Sequence, residues 1–241
     1  MGKQILTVKN IEDFGETTAA LWKKIADNAI LKDGKFSVAL SGGSSPIPVF
    51  QKLCEYHLDF PWKYTHIFQV DERYVAQNHE DNNFAMIKKH LIDNVEIPKQ
   101  NIHQIPVNSN NIKKDTKLYQ KDIEDYFNMP LKKMSFDLII LGIGNDGHTA
   151  SLFPGKPVLK ENAKAAAYVK MNPKMHDRIT LTYPVLNAAK NIVFIVFGAA
   201  KAEILNEVLN KKNSSLPAAK ISHLGRDIFY IIDQDAAKLI Q

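Results

Sequence analysis

The chain has 241 residues, 45% of them hydrophobic and 24% charged, which excludes a disordered or fibrous protein and gives enough length to bury a sizeable core. One cysteine, Cys54, excludes an internal disulfide framework; no apolar run approaches bilayer length, and Met1-Gly2-Lys3-Gln4 lacks an apolar signal region, so a cytoplasmic protein without a membrane partner is expected. The formal charge of +5 favours anionic partners, but scattered lysines such as Lys113-Lys114, Lys132-Lys133 and Lys211-Lys212 form no aromatic-interleaved basic stripe; a small phosphorylated substrate accounts for the balance as well as nucleic acid does.

Residues 13–33 carry Leu21, Ile25, Ala29 and Trp22, Ala26, Ile30 at helical spacing, and Asp33-Gly34 ends the pattern. A strand over 36–40 then runs into Ser41-Gly42-Gly43-Ser44-Ser45-Pro46 and an apolar helical pattern over 47–56. Glycines let a backbone approach an anion, Pro46 suits a first helical position, and a helix start offers unpaired N–H groups to a phosphate or oxyanion. An ordinary Ser/Gly cap explains the same residues, and Ser44 lies outside any nucleophile elbow.

A second strand over 64–70 leads into Asp71-Glu72-Arg73-Tyr74. Arg73 suits a bidentate grip on phosphate or carboxylate, or an ion pair with Asp71 or Glu72. His79, Asp81 and Asn82 precede a helix over about 83–91, where capping alone accounts for Asp81 or Asn82. Residues 97–111 read as an irregular surface connection, and 114–127 as a charged amphipathic helix.

The organising stretch is 136–155. Phe136 to Leu141 is a short apolar run of the kind that forms a strand buried on both faces. It opens into Gly142, Gly144 and Gly147, with Asp146 and His148 among them, at the strand end where open α/β sheets bind ligands. Gly142-x-Gly144-x-x-Gly147 has dinucleotide-fingerprint spacing, but Pro154-Gly155 interrupts any long helix and no acid follows at a strand end about 20 residues on. A structural turn with a solvated histidine, and a catalytic turn, both remain.

Residues 156–164 read as exposed and 166–169 as a strand. Arg178-Ile179-Thr180-Leu181-Thr182 alternates like a half-buried strand, and 183–186 begins a short helix. A strand over 191–197 is followed by Gly198-Ala199-Ala200-Lys201 and a helix to about 209; a cation at Lys201 opposes the helix dipole, a cost that an anionic ligand offsets. Residues 229–232 form the last strand, with 233–236 capping a final helix. Strands alternate with helices, so the fold class is α/β: one domain over 1–241, Rossmann-like, a mostly parallel sheet with helices on both faces and smaller added elements.

Six blocks together resemble the 6-phosphogluconolactonases, members of the glucosamine-6-phosphate isomerase/deaminase superfamily. They are Ser41 to Ser44, Val70 to Arg73, His79 to Asn83, Gly144 to Gly155, Arg178 to Thr182, and Gly198 with Lys201, and Asp146 to Gly155 is the most specific. The resemblance implies a Rossmann-like fold and hydrolysis of 6-phospho-D-glucono-1,5-lactone without metal or organic cofactor. It implies a phosphorylated sugar lactone as partner, not nucleic acid, and His148 as the base.

The chemistry of an activated ester then assigns expectations. Asp146 steers His148; backbone N–H groups near Gly42, Gly43 and Ser44 receive the oxyanion or bind hydroxyls; Ser41 and Asp71 are expected to bind substrate; Arg73, Arg178 and Lys201 are the phosphate candidates. The chain departs from the resemblance at Ser45, at Asn82, and at Met175-His176, where the family often has prolines. The superfamily's deaminases resemble Asp-Gly-His-Ile-Ala-Phe-Asn-Glu-Pro in the central block, and Phe153 stands where their added acid would fall. A sugar-phosphate sensor without turnover is the other alternative.

Overall fold

The computed structural model describes residues 2–56, 60–222 and 227–240. Strand β1 (Lys3–Val8) carries no periodic signal in the sequence because it is an edge strand with only Val8 buried. Helix α1 (Ile11–Asp33) starts where the Asn10 side chain accepts from the Asp13 amide, and ends at Gly34, whose left-handed φ of 72° lets its N–H reach Ile30 O. Strand β2 (Phe36–Leu40) is buried throughout, and α2 (Ile47–Glu55), β3 (Thr65–Gln69), β4 (Asp71–Arg73) and α3 (Asn83–His90) follow.

Next come β5 (Ile102–His103), two residues of strand inside a stretch that reads as irregular, then α4 (Ile112–Phe127), β6 (Leu138–Leu141) and β7 (Ala166–Val169). The chain continues through β8 (Arg178–Leu181), α5 (Tyr183–Leu186), β9 (Asn191–Val196), α6 (Ala202–Asn210) and β10 (Asp227–Asp233).

The main sheet has the order β1-β10-β9-β6-β2-β3-β5, and every pairing in it is parallel. Period-two alternation divides its side chains between two cores. Ala39, Phe68, Ile139, Leu141 and Phe194 pack into one; Val38, Leu40, Ile67, Leu138, Ile140 and Val193 pack into the other. Each of these side chains apart from Ala39 contributes about 1.5–3 kcal/mol of burial, so a one-residue slip of β2 or β6 would exchange the two cores at prohibitive cost. From β2 the chain winds outward through β3 to β5. It then returns to β6 on β2's other side and winds outward through β9 to β10. β2 and β6 are thus neighbours whose connections diverge, which opens a crevice beyond their carboxyl ends.

A second, antiparallel sheet, β4-β8-β7, is the smaller added element. It corrects two expectations. Asp71 to Arg73, expected as charges that follow the second strand, form a strand of their own, and β8 is buried from Ile179 onward rather than half-buried. Its threonines tolerate burial because their hydroxyls are engaged: Thr180 Oγ1 accepts from the Ser151 amide at 3.1 Å, and Thr182 Oγ1 donates to Lys164 O at 2.5 Å. The final helix does not form. Asp233 Oδ1 accepts from both Gly198 N and Ala236 N, and the chain beyond it closes as successive turns. No helix among the described residues is long and apolar enough to cross a membrane.

Candidate active site

The crevice at the β2/β6 switch holds a cleft of about 260 Å³. Ser41 and Gly42 come to it from the end of β2, Gly142 to Gly144 and His148 from the end of β6, and Asp71, Arg73 and Arg178 from the small sheet. Segments distant in sequence converge because the small sheet lies across the carboxyl edge: Leu181 N donates to Val70 O, and Val70 N to Leu40 O.

The loop after β6 is a tight hydrogen-bonded turn. Gly144 N donates to His148 O at 2.8 Å and Gly147 N to Gly144 O at 2.9 Å. It opens no helix, so the dinucleotide reading has no structural support here. The imidazole lies against the turn's own backbone: a Cβ on Gly144 would sit 2.1 Å from the His148 ring. Ala150, with φ of 52°, holds a conformation that costs a residue with a side chain, the kind of strain that collects at functional sites.

Asp146 Oδ1 accepts from the His148 amide at 3.1 Å and lies 2.5 Å from His148 Nδ1. Burial pushes the Asp146 carboxyl up, but these bonds from His148 more than offset it and leave the group below its usual range. A carboxylate at Nδ1 fixes the tautomer that leaves Nε2 with its lone pair free, and Nε2 has no protein partner among the described residues. Phe153 packs against the same ring at 4.2 Å.

Arg73 and Arg178 are directly paired across the antiparallel β4–β8 ladder, so their side chains leave the same face. Arg73 Nη1 donates to Asp81 O at 2.8 Å and Arg178 Nε to His176 O at 3.2 Å. Burial lowers the Arg178 pKa, with Asp71 acting against it and Arg73 adding to it. Two like charges facing each other at a cleft wall are destabilising unless an anion lies between them.

Neither arginine pairs with Glu72. That carboxylate is fully buried and accepts from Gln69 Nε2 and from the amides of Arg73, Asn83 and Phe84, capping α3 from a neighbouring strand. Burial pushes it up to about 7, against the pull of those donors. Asn82 takes the capping role at α3, accepting from Ala85 N at 2.8 Å.

The remaining expected residues divide. Ser41 lines the cleft, but its hydroxyl donates to Ile140 O at 2.9 Å and ties the β2 loop to β6. Gly42 lines it too, and must be glycine because a Cβ would lie 1.8 Å from Asn83 Oδ1. Gly43 turns the chain with φ of 86°. Gly43 and Ser44 are not part of the lining, and the amides of Gly42, Gly43 and Ser44 have no protein acceptor among the described residues. Pro46 precedes α2 rather than beginning it, and Ile47 N already donates to Ser44 O, so the unpaired amides lie in the loop rather than at the helix start. Asp71 lines the cleft while Oδ2 accepts from buried Ser151 at 2.5 Å. Lys201 is not brought into the lining; its Nζ donates to Asn145 Oδ1 at 2.6 Å, and burial lowers its pKa against the pull of Asp146.

Asn83, Phe153 and Met175 also line the cleft, though none was expected to bind substrate or act in the reaction.

A profile described as Glucosamine-6-phosphate isomerases/6-phosphogluconolactonase matches residues 9–229. The chain belongs to this family. It is 34% identical to a 6-phosphogluconolactonase from Nostoc sp. over 95% of this chain and 97% of the relative. Identity is 36% to one from Synechocystis sp., covering 87% of each chain. The crystal structure of a 6-phosphogluconolactonase from Thermotoga maritima superposes with a TM-score of 0.84 at 27% identity, covering 96% of this chain and 100% of that one. The family's mostly parallel sheet is the sheet described above.

Proposed function

We propose that the protein hydrolyses 6-phospho-D-glucono-1,5-lactone to 6-phospho-D-gluconate, with His148 as general base. The observation that carries the reading is the shared cleft: an imidazole with a free nitrogen on one wall, and two guanidinium groups in register on another. The arginines take the 6-phosphate, which sets the ring's distance from His148. Nε2 removes a proton from water as the oxygen attacks the lactone carbonyl, and Asp146 stabilises the imidazolium through Nδ1. Negative charge developing on the carbonyl oxygen meets the free amide of Gly42, the one of the three loop residues that lines the cleft. The ring C–O bond then breaks, and the leaving oxygen takes the proton from His148, restoring the base.

Phe153 favours this chemistry over deamination, since an apolar ring against His148 moves no proton. The reading extends to a single domain over 1–241 working in the cytoplasm on a small phosphorylated lactone, with no nucleic acid and no cofactor. Freshly generated lactone is the test. Its disappearance should be accelerated well above the spontaneous background. Binding without acceleration would make the protein a sensor, and ammonia release from glucosamine 6-phosphate would make it a deaminase; either result overturns the proposal.

A further inference from the structure

Outside the reacting groups, His79, Asp81 and His176 bring one ligand atom each to within 4.8 Å of the others. His176 Nε2 lies 3.1 Å from Asp81 Oδ2, and His79 Nδ1 lies 3.9 Å from the same oxygen. Metal–ligand bonds of about 2.0–2.2 Å put the corners of a tetrahedral site roughly 3.3 Å apart, so the set needs little rearrangement to close on an ion. The Asp81 amide donates to His79 Nδ1 at 3.0 Å, which keeps a lone pair on the nitrogen nearest the carboxylate; a metal replaces that one hydrogen bond. All three side chains are partly exposed, with relative accessibilities of 38%, 50% and 42%, so an ion reaches them from solvent and keeps water in its remaining positions. Two imidazoles and a carboxylate suit zinc and its late first-row neighbours, not calcium or magnesium, which prefer all-oxygen sets.

The position gives the cluster a consequence. His79 and Asp81 belong to the loop before α3, and His176 to the loop before β8, 95 residues away from Asp81. The backbone carbonyls of Asp81 and His176 are the very groups that hold the guanidinium groups of Arg73 and Arg178. We propose that His79, Asp81 and His176 form a binding site for a zinc-type divalent ion that clasps these two loops together beside the cleft. The ion takes no part in the hydrolysis; it ties down the backbone from which both arginines are oriented.

The test uses untagged full-length protein, stripped with chelator and dialysed, then titrated with cobalt(II) chloride and with zinc chloride. Expected are saturation at one equivalent, visible absorption bands from the cobalt-loaded protein, and a melting temperature that rises with zinc. His176→Ala and His79→Ala should each weaken binding by at least about tenfold, with far-UV circular dichroism unchanged. Cys54→Ser should bind as the parent does. Absence of saturable binding overturns the proposal, and so does one-equivalent binding that survives in both histidine variants or is lost with Cys54.

Discussion

His148 and His103 both rest on aspartates and differ in what the rest of each ring meets. His148 has Asp146 at Nδ1, 2.5 Å away, and His103 has Asp122 at Nδ1, with both oxygens at 3.0 Å. The difference lies at the other nitrogen. Nε2 of His148 has no protein partner among the described residues and its ring lines a cleft, whereas Nε2 of His103 lies 3.2 Å from His66 Nδ1. His103 also stacks on Phe68, with ring centres 3.9 Å apart. The same pair of residues leaves a nitrogen open to the cleft in one place and is closed at both ends in the other.

The largest effect that tests this contrast is at His148. His148→Ala should lower kcat by about 10²–10⁴-fold with the fold retained; a rate near that of the parent would break the comparison at once. Gly144→Ala sharpens it without touching a functional group. The added methyl would displace the ring, and misplacement on the order of 1 Å is expected to cost roughly 10²-fold in kcat/KM, while thermal unfolding shifts little. The closed pair should respond in reverse: His103→Ala should cost about 1–3 kcal/mol of stability in urea unfolding, with activity per folded molecule unchanged.

The smallest effect is a pH slope. Burial, helped by His103 and Lys35, holds His66 down at about 4 against an ordinary 6.5. The unfolded chain therefore takes up this proton first, so stability that is complete above pH 6.5 is lost as pH falls towards 4. Glu72, raised from 4.5 to about 7, runs the other way: its contribution is complete below 4.5 and is lost as pH rises through 7. The informative quantity is thus a difference between proteins. Relative to the parent, His66→Gln should lose less melting temperature between pH 7 and pH 5, and an identical loss would remove His66 as the cause.

The contrast also explains what could be read from the amino acids. Asp146 and His148 are two positions apart in a glycine turn, so local chain geometry alone can join them. His103 and Asp122 are 19 positions apart and meet only once α4 packs beside β5. The buried strands β2, β6 and β9 were legible because continuous apolar runs have few other uses. β1 was not, since an edge strand buries almost nothing. The register that sets Arg73 opposite Arg178 was invisible too: it belongs to a small sheet whose strand β4 is three residues long, too short for any periodicity. Lys201 differs again: it lies next to the loop that holds His148, and its Nζ donates to Asn145 rather than lining the cleft.

The facing arginines have one more implication. Their mutual repulsion is relieved by any dianion of suitable size, and the phosphate at the far end of the sugar is untouched by ring opening. On the proposed reading the arginines would grip reactant and product alike, so this contact would orient the ring without distinguishing the two. Inorganic phosphate should compete with both, and the acid formed should leave slowly enough to hold back its own production as it accumulates.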